Sequence, residues 1–281
     1  MKLHILALPG DGIGVEVTRE AIKALECVVR RFGHKLSLNE ALIGGAAFYK
    51  TGTGLPPETL DLALKVDATL MGAVGLPEFD KLPPDQRPDK ALLTLRKALG
   101  VYANLRPVRA YTALLDSSPL KNHIVRGADM MIVRELTGGL HYGTPRGAQG
   151  SGAEARVINT MSYTRSEIER VARVAFRLAR NRRKKLTSVD KANVLETSKL
   201  WRDVVTEVSP AFPDVKLEHL LVDNCAMQLV RNPRQFDVVV TENLFGDILS
   251  DCGAMVAGSL GMLPSASLGA RDSRGRRKGI V

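Results

Sequence analysis

The sequence predicts an α/β fold with an open sheet rather than a barrel, divided over two domains. Three observations carry this. Short apolar runs alternate with stretches whose apolar residues recur at helical spacing. The intervals between those runs are irregular, whereas a barrel repeats its units evenly. With 281 residues, 44% apolar and 25% charged, the chain is long enough for one large core or two ordinary ones.

The elements follow in order. "KLHILAL" reads as a strand and "PGDGIG" as a tight turn, after which Val17, Ala21, Ala24, Leu25, Val28 and Phe32 make the apolar stripe of a helix. "VDATLMGAVG" is a buried strand ending in a glycine loop, the proline-rich "LPEFDKLPPDQRPD" is a loop, and "ALLTLRKAL" resumes a helix. "DMMIVREL" is a strand. From Thr137 to Tyr163 glycines abound without helical period, which predicts extended ribbon or loop. Ser166 with Glu169 predicts a capping box opening a helix with Ile168, Val171, Ala175 and Phe176 inward. "KLTSVDKAN" is a strand that delivers Lys191 at its end, and Trp201, Val204, Val205 and Val208 stripe the next helix. "FDVVVTENLFGDILSD" repeats the strand-to-helix step. No internal repeat is visible.

Several function classes are excluded. No apolar run reaches the ~18–20 residues that span a bilayer. The start of the chain reads as a strand rather than a signal peptide, and the three cysteines, Cys27, Cys225 and Cys252, have neither disulfide nor zinc spacing. A cytoplasmic location and a core role for Cys225 and Cys252 are expected. The net charge of +10 is concentrated in "RNRRKK", which ends a helix and suits its negative pole, and in the last residues. No aromatic residues interleave with these runs, so nucleic acid is not the expected partner. "LPGDGIG" is spaced G-x-G-x-G, which is not the Rossmann fingerprint.

Two constellations carry chemistry. Asp247 and Asp251 lie one turn apart on one helix face beyond a strand end, where open sheets place their ligands, and Asp223 ends another apolar run. Carboxylates without histidine suit Mg2+ or Mn2+ better than zinc; an exposed face with capping aspartates is the alternative. Arg96, Arg106 and Arg134 offer planar forks that would hold a di-acid if they converge, and otherwise serve as surface ion pairs.

The ordered motifs "LPGDGIGVEV", "LRKALGVYANLRP", "IVRELTGG", "SVDKANVLETSKLW", "VVTENLFGDILSD" and "GSLGMLPSASLG" resemble the isocitrate/isopropylmalate β-decarboxylating dehydrogenases, and within them the isopropylmalate branch, from residue 2 to about Gly269. The resemblance implies the two-domain open-sheet fold of that family, which is not a Rossmann fold. A first, cofactor-side domain would span 1–103 and 252–281, and a second 104–251, with a dimerisation arm around 137–163. It implies oxidative decarboxylation of (2R,3S)-3-isopropylmalate to 4-methyl-2-oxopentanoate with NAD and a divalent metal, in leucine biosynthesis. Asp223, Asp247 and Asp251 would hold the metal, and Arg96, Arg106 and Arg134 the malate carboxylates. Lys191 would take the hydroxyl proton. Asn193 and Val194 would face nicotinamide and substrate. Leu92 and Leu93 would meet the isopropyl group, and Leu76, Pro77, Glu78 and Asp89 would bind the cofactor, Asp89 near its nicotinamide. Lys191 and Asp223 would complete the active site of a partner subunit, so a homodimer is implied.

Three departures from the family pattern bear on this. His141 stands where the family has its proton-donating tyrosine, with Tyr142 one step later, on the opposite face if the segment is a ribbon. Asp89 replaces a glutamate. After "GSLGMLPSASLG" the chain ends in "ARDSRGRRKGIV", basic and without apolar period, where the family continues with an adenosine-binding loop and further helices. The C-terminal part of the first domain is therefore expected to be missing, leaving apolar surface uncovered. A homologue that only dimerises, or a dehydrogenase of tartrate or another 2-hydroxy di-acid, are the rival readings.

Overall fold

A computed structural model describes residues 1–82, 87, 88, 90–273 and 275–281. They form two units, Met1–Val101 with Ala266–Val281, and Tyr102–Ser265. The sequence placed the divisions at 103/104 and 251/252. The second falls later because one helix runs unbroken through Asp251 and Cys252.

The first unit contains β1 (Lys2–Gly10), α1 (Ile13–Arg31), β2 (Lys35–Glu40), α2 (Gly44–Thr51), α3 (Pro57–Lys65), β3 (Ala68–Ala73) and α4 (Lys90–Ala98). The second contains β4 (Ala103–Arg109), α5 (Asn122–Val125), β5 (Asp129–Glu135), β6 (Arg146–Gln149), β7 (Arg156–Asn159), α6 (Arg165–Arg180), β8 (Lys185–Asp190), α7 (Glu196–Val208), β9 (Lys216–Leu221), α8 (Val222–Arg231), β10 (Val238–Thr241) and α9 (Asn243–Ala257). The chain then returns to the first unit as β11 (Ala266–Arg271) and β12 (Arg277–Ile280).

In the first unit the strand order is β2-β1-β3-β12-β11, with β1 parallel to both neighbours. The basic tail is built into this sheet. β12 runs antiparallel to β11 and parallel to β3, Ile280 is buried, and Val281 exchanges backbone hydrogen bonds with Thr69 and Met71. Backbone pairing does not need apolar period, which is why four residues reading "RKGI" still make a strand. Arg277 donates to the Gly269 carbonyl, and Lys278 to those of Leu64 and Val66. The α1 stripe differs from expectation. Val17, Val28 and Phe32 are exposed, and the buried residues are Gly14, Thr18 and Val29.

The second unit carries the order β4-β5-β10-β8-β9, parallel except for β4. Alternation along β10 separates two cores, because successive side chains leave a strand on opposite faces. Val238 and Val240 join α6 and α7, while Val239 joins α8 and α9. Ile168, Val171, Ala175 and Phe176 are fully buried as expected, and Phe176 stacks on Phe212 at 5.0 Å. Trp201 donates from its indole to Ser188. Each such large apolar side chain contributes about 1.5–3 kcal/mol on burial. Cys225 lies in the second core, and burial pushes its thiol up to about 12.

Two local expectations are corrected. The capping box of α6 is formed by Thr164 and Glu167, not Ser166 and Glu169, since Thr164 is the last extended residue. "RNRRKK" does more than face a helix pole: Arg182 bridges Asp129 and the buried Asp237, and Arg183 adds to the same network. Among the described residues, no helix is long and apolar enough to cross a membrane.

Candidate active site

The site grows from the end of β10. Glu242 caps α9, its carboxylate accepting from the Leu244 and Phe245 amides at 3.0 and 2.8 Å. The helix therefore starts at Asn243 and presents Asp247 and Asp251 one turn apart, as the spacing predicted. Arg134, near the end of β5, is buried. Its guanidinium donates through Nη1 to Asp247 Oδ1 and through Nε to Asn243 Oδ1 at 2.9 Å. Arg106, from β4, donates through Nη1 to Ser250 Oγ at 3.2 Å and lies 3.7 Å from Asp251 Oδ1, while its Nε donates to Asn104. Each arginine thus stands beside one of the two aspartates. Burial pushes the Arg134 pKa down and Asp247 opposes that shift, as a charge taken out of water requires.

The glycine-rich segment after β5 is not a ribbon at the expected point. Gly139–His141 forms a 3-10 turn, so the argument that His141 and Tyr142 must face opposite ways does not hold. His141 Nε2 lies 4.0 Å from Asp247 Oδ2. The segment is positioned by Asn243, whose side-chain amide donates to the Gly138 carbonyl at 3.1 Å. Tyr163 adds a second tie. Its hydroxyl accepts from the Asn243 amide and donates to Glu242 Oε2. Burial raises the Tyr163 hydroxyl far above its ordinary value, reinforced by the charges of Glu135 and Glu242, so it stays protonated. The ribbon expectation holds further along, where β6 and β7 pair antiparallel.

Lys191 follows β8 directly, and Asp223 sits in the first turn of α8, after the neighbouring β9. Lys191 Nζ lies 2.5 Å from Asp223 Oδ1, and this hydrogen bond holds the Asp223 carboxyl below the usual range. Asn193 and Val194 are exposed just beyond, Val194 at 64%. The pair does not join Asp247 and Asp251 within one chain. Among the described residues, no group of three or more His, Cys, Asp or Glu is placed to hold a metal.

The remaining candidates belong to the first unit. Leu92 and Leu93 are half-buried on α4, which also carries Arg96. Leu76, Pro77 and Glu78 follow β3, where Val74, Gly75, Leu76, Pro77, Phe79 and Asp80 line a cavity of about 230 Å³. Glu78 accepts from the Tyr49 hydroxyl. Asp89 lies outside the described residues.

Sequence reasoning missed Glu242, Asn243 and Tyr163. An acidic residue at a strand-to-helix step is a readable cap signal for Glu242. Tyr163 has none, since it reaches residues about 80 positions away.

The model of the isocitrate/isopropylmalate dehydrogenase family matches residues 4–279. A 3-isopropylmalate dehydrogenase of Halalkalibacterium halodurans is 59% identical over 268 residues, covering 95% of this chain and 74% of that protein. One from Aquifex aeolicus is 56% identical over 270 residues, covering 96% and 74%. Among solved structures, isocitrate dehydrogenase from Methylococcus capsulatus aligns with a TM-score of 0.82 at 34% identity, over 99% of this chain and 76% of that one. With the sheet order, the paired arginines and aspartates and the motif order all in agreement, the chain belongs to the isocitrate/isopropylmalate dehydrogenase family.

Proposed function

We propose that this chain oxidises and decarboxylates (2R,3S)-3-isopropylmalate to 4-methyl-2-oxopentanoate, with NAD as hydride acceptor and Mg2+ or Mn2+ as the metal. The observation that carries it is the pairing of Arg134 with Asp247 and of Arg106 with Asp251. Two guanidinium forks beside two hard oxygen donors match a 2-hydroxy di-acid, whose carboxylates need the forks and whose hydroxyl needs a cation. The relatives named 3-isopropylmalate dehydrogenase support the substrate.

The donor set fits a hard divalent cation, which is commonly held by one or two carboxylates together with its substrate. Asp247 and Asp251 would hold it, joined by Asp223 of a second copy. The cavity at Leu76 and Pro77 is smaller than the ~300–1,000 Å³ of a whole ligand site, so it suits one part of NAD rather than the whole cofactor. When bound, the metal supplies Lewis acidity and NAD the hydride acceptor. Arg106 and Arg134 orient the malate carboxylates, with Arg96 assigned to the same task by the family pattern. Lys191, kept beside Asp223, takes the hydroxyl proton. His141, directed toward Asp247, returns a proton to carbon after carbon dioxide leaves, and Tyr142 is the second candidate for that step. Leu92 and Leu93 favour the isopropyl group, because a γ-carboxylate against them would be buried without a partner.

Exposed apolar residues support the homodimer. Met227 and Val230 on α8, and Ile248 and Met255 on α9, stand out from two adjacent helices, and the β6–β7 hairpin is the candidate arm. Three free thiols accord with a cytoplasmic site of action.

The test is NADH formation with 3-isopropylmalate, isocitrate and tartrate in parallel, with Mg2+ or Mn2+ and with chelator. Turnover of 3-isopropylmalate that chelator abolishes, and that falls about 10²–10⁴-fold in Lys191→Met, is expected. A folded, metal-loaded dimer that forms no NADH would refute the reading in favour of a homologue that only dimerises.

A further inference from the structure

We infer that Asp11, in the "PGDGIG" turn that is not a dinucleotide fingerprint, is a positioning residue for the cofactor loop after β3; this rests on the function proposed above. The residue is 4% exposed, and its carboxylate joins separate backbone segments. Oδ2 accepts from the Gly45 amide at 2.8 Å and from the Gly75 amide at 2.9 Å, and Oδ1 accepts from the Ala46 amide at 2.8 Å. Its own amide donates to the Ala73 carbonyl at 2.7 Å. One side chain therefore ties the end of β1 to the start of α2 and to the loop after β3.

The site is built around that carboxylate. Ile43, at the cap position of α2, makes no side-chain cap, so Asp11 supplies the cap from 34 residues away. Gly44 has φ +74°, and a Cβ there would lie 2.5 Å from Asp11 Oδ2. A Cβ on Gly45 would lie 2.5 Å from the Phe79 ring. A side chain at either position would push into this packing. The same two segments also meet through aromatic rings. Phe48 and Tyr49 pack on Phe79, and Tyr49 donates to Glu78.

Gly75 is followed at once by Leu76, Pro77 and Glu78, the residues assigned to the cofactor. The Asp11 to Gly75 bond fixes where that run begins, and the α2 contacts fix where its far end lies. A loop preorganised in this way loses less freedom on binding than one that must order itself. All three partners are donors. Asparagine at position 11 keeps one acceptor oxygen and turns an NH2 group toward an N–H, so it breaks the junction while preserving size.

The experiment measures NAD binding by calorimetry, and KM for NAD and for 3-isopropylmalate separately, in wild type and Asp11→Asn. The expected result is at least a tenfold weaker NAD affinity and a matching rise in KM for NAD, with KM for 3-isopropylmalate within twofold. Hydrogen exchange should quicken at residues 44–46 and 74–76 and not in the second unit. Equal NAD affinity in a folded Asp11→Asn protein overturns this inference alone, whereas a wild type that binds no NAD overturns the proposed function with it. Should Asp11→Asn not fold, wild-type exchange decides. The Gly45, Ala46 and Gly75 amides must exchange as one group and slow together on NAD addition, and independent exchange overturns the inference.

Discussion

Arg134 is the residue on which the second unit's site turns, because it is a buried cation whose charge is met by Asp247. Removing one partner of a buried pair costs about 3–5 kcal/mol, but Asp247 is 41% exposed, so solvent screening reduces this to about 1–2 kcal/mol. Asp247→Asn is therefore expected to lower stability by that amount and to abolish metal-dependent turnover. Denaturant melts together with metal titration check it, and unchanged metal affinity would remove Asp247 from the ligand set. The aspartate spacing, the arginines and Lys191 were legible in the sequence as candidates, because Asp247 and Asp251 ride one helix face, Arg96 rides another, Arg134 and Lys191 stand at strand ends and Arg106 lies within a strand. The link from Arg134 through Asn243 to Gly138 was not, since it joins residues more than 100 positions apart.

At the scale of the element, α9 carries both its cap and its close approach to β5. A Cβ on Gly246 would lie 2.7 Å from Arg134 Cγ and 2.8 Å from its Cβ. Gly246→Ala must displace the arginine or the helix, and overpacking of this kind costs about 1–3 kcal/mol. The expected outcome is a lower melting temperature with a raised KM for 3-isopropylmalate; an unaltered KM would show that Arg134 does not hold the substrate. Glu242 makes a pH prediction. Burial raises its pKa above the ordinary 4.5, and nearby Glu135 is raised by burial as well. A raised folded pKa favours the protonated form in the native state, so the contribution of these two groups to stability is fully present below about 4.5 and is lost as pH climbs through the raised values. Glu242→Gln should flatten that fall. Parallel pH-dependent melts would discard the assignment if both proteins lost stability equally.

For the whole molecule, the proposed homodimer would use the exposed apolar residues of α8 and α9. A two-fold contact places the same patch of each copy against the other. Met227→Asp puts a charge into it, and the expected result is a monomer by light scattering, with turnover lost because Lys191 and Asp223 would no longer reach a second copy's carboxylates. A Met227→Asp protein that remains dimeric would move the interface elsewhere, with the β6–β7 hairpin next in line. The exposed stripe of α1 belongs to this scale too. Val17 and Phe32 have helical period, yet period alone names an apolar face without saying what covers it.

The sequence by itself determined the α/β class, the strand-to-helix steps and the residue types of the site, because strand runs, helical stripes and hydrogen-bonding side chains are local properties. Only the tertiary structure decided that the basic tail pairs into the first sheet, that Thr164 rather than Ser166 caps α6, and that His141 lies in a turn near Asp247. It also decided that Asp11 joins three segments. Each of these depends on backbone groups that must find partners across long sequence separations, and the amino-acid order carries no local signal for where those partners lie.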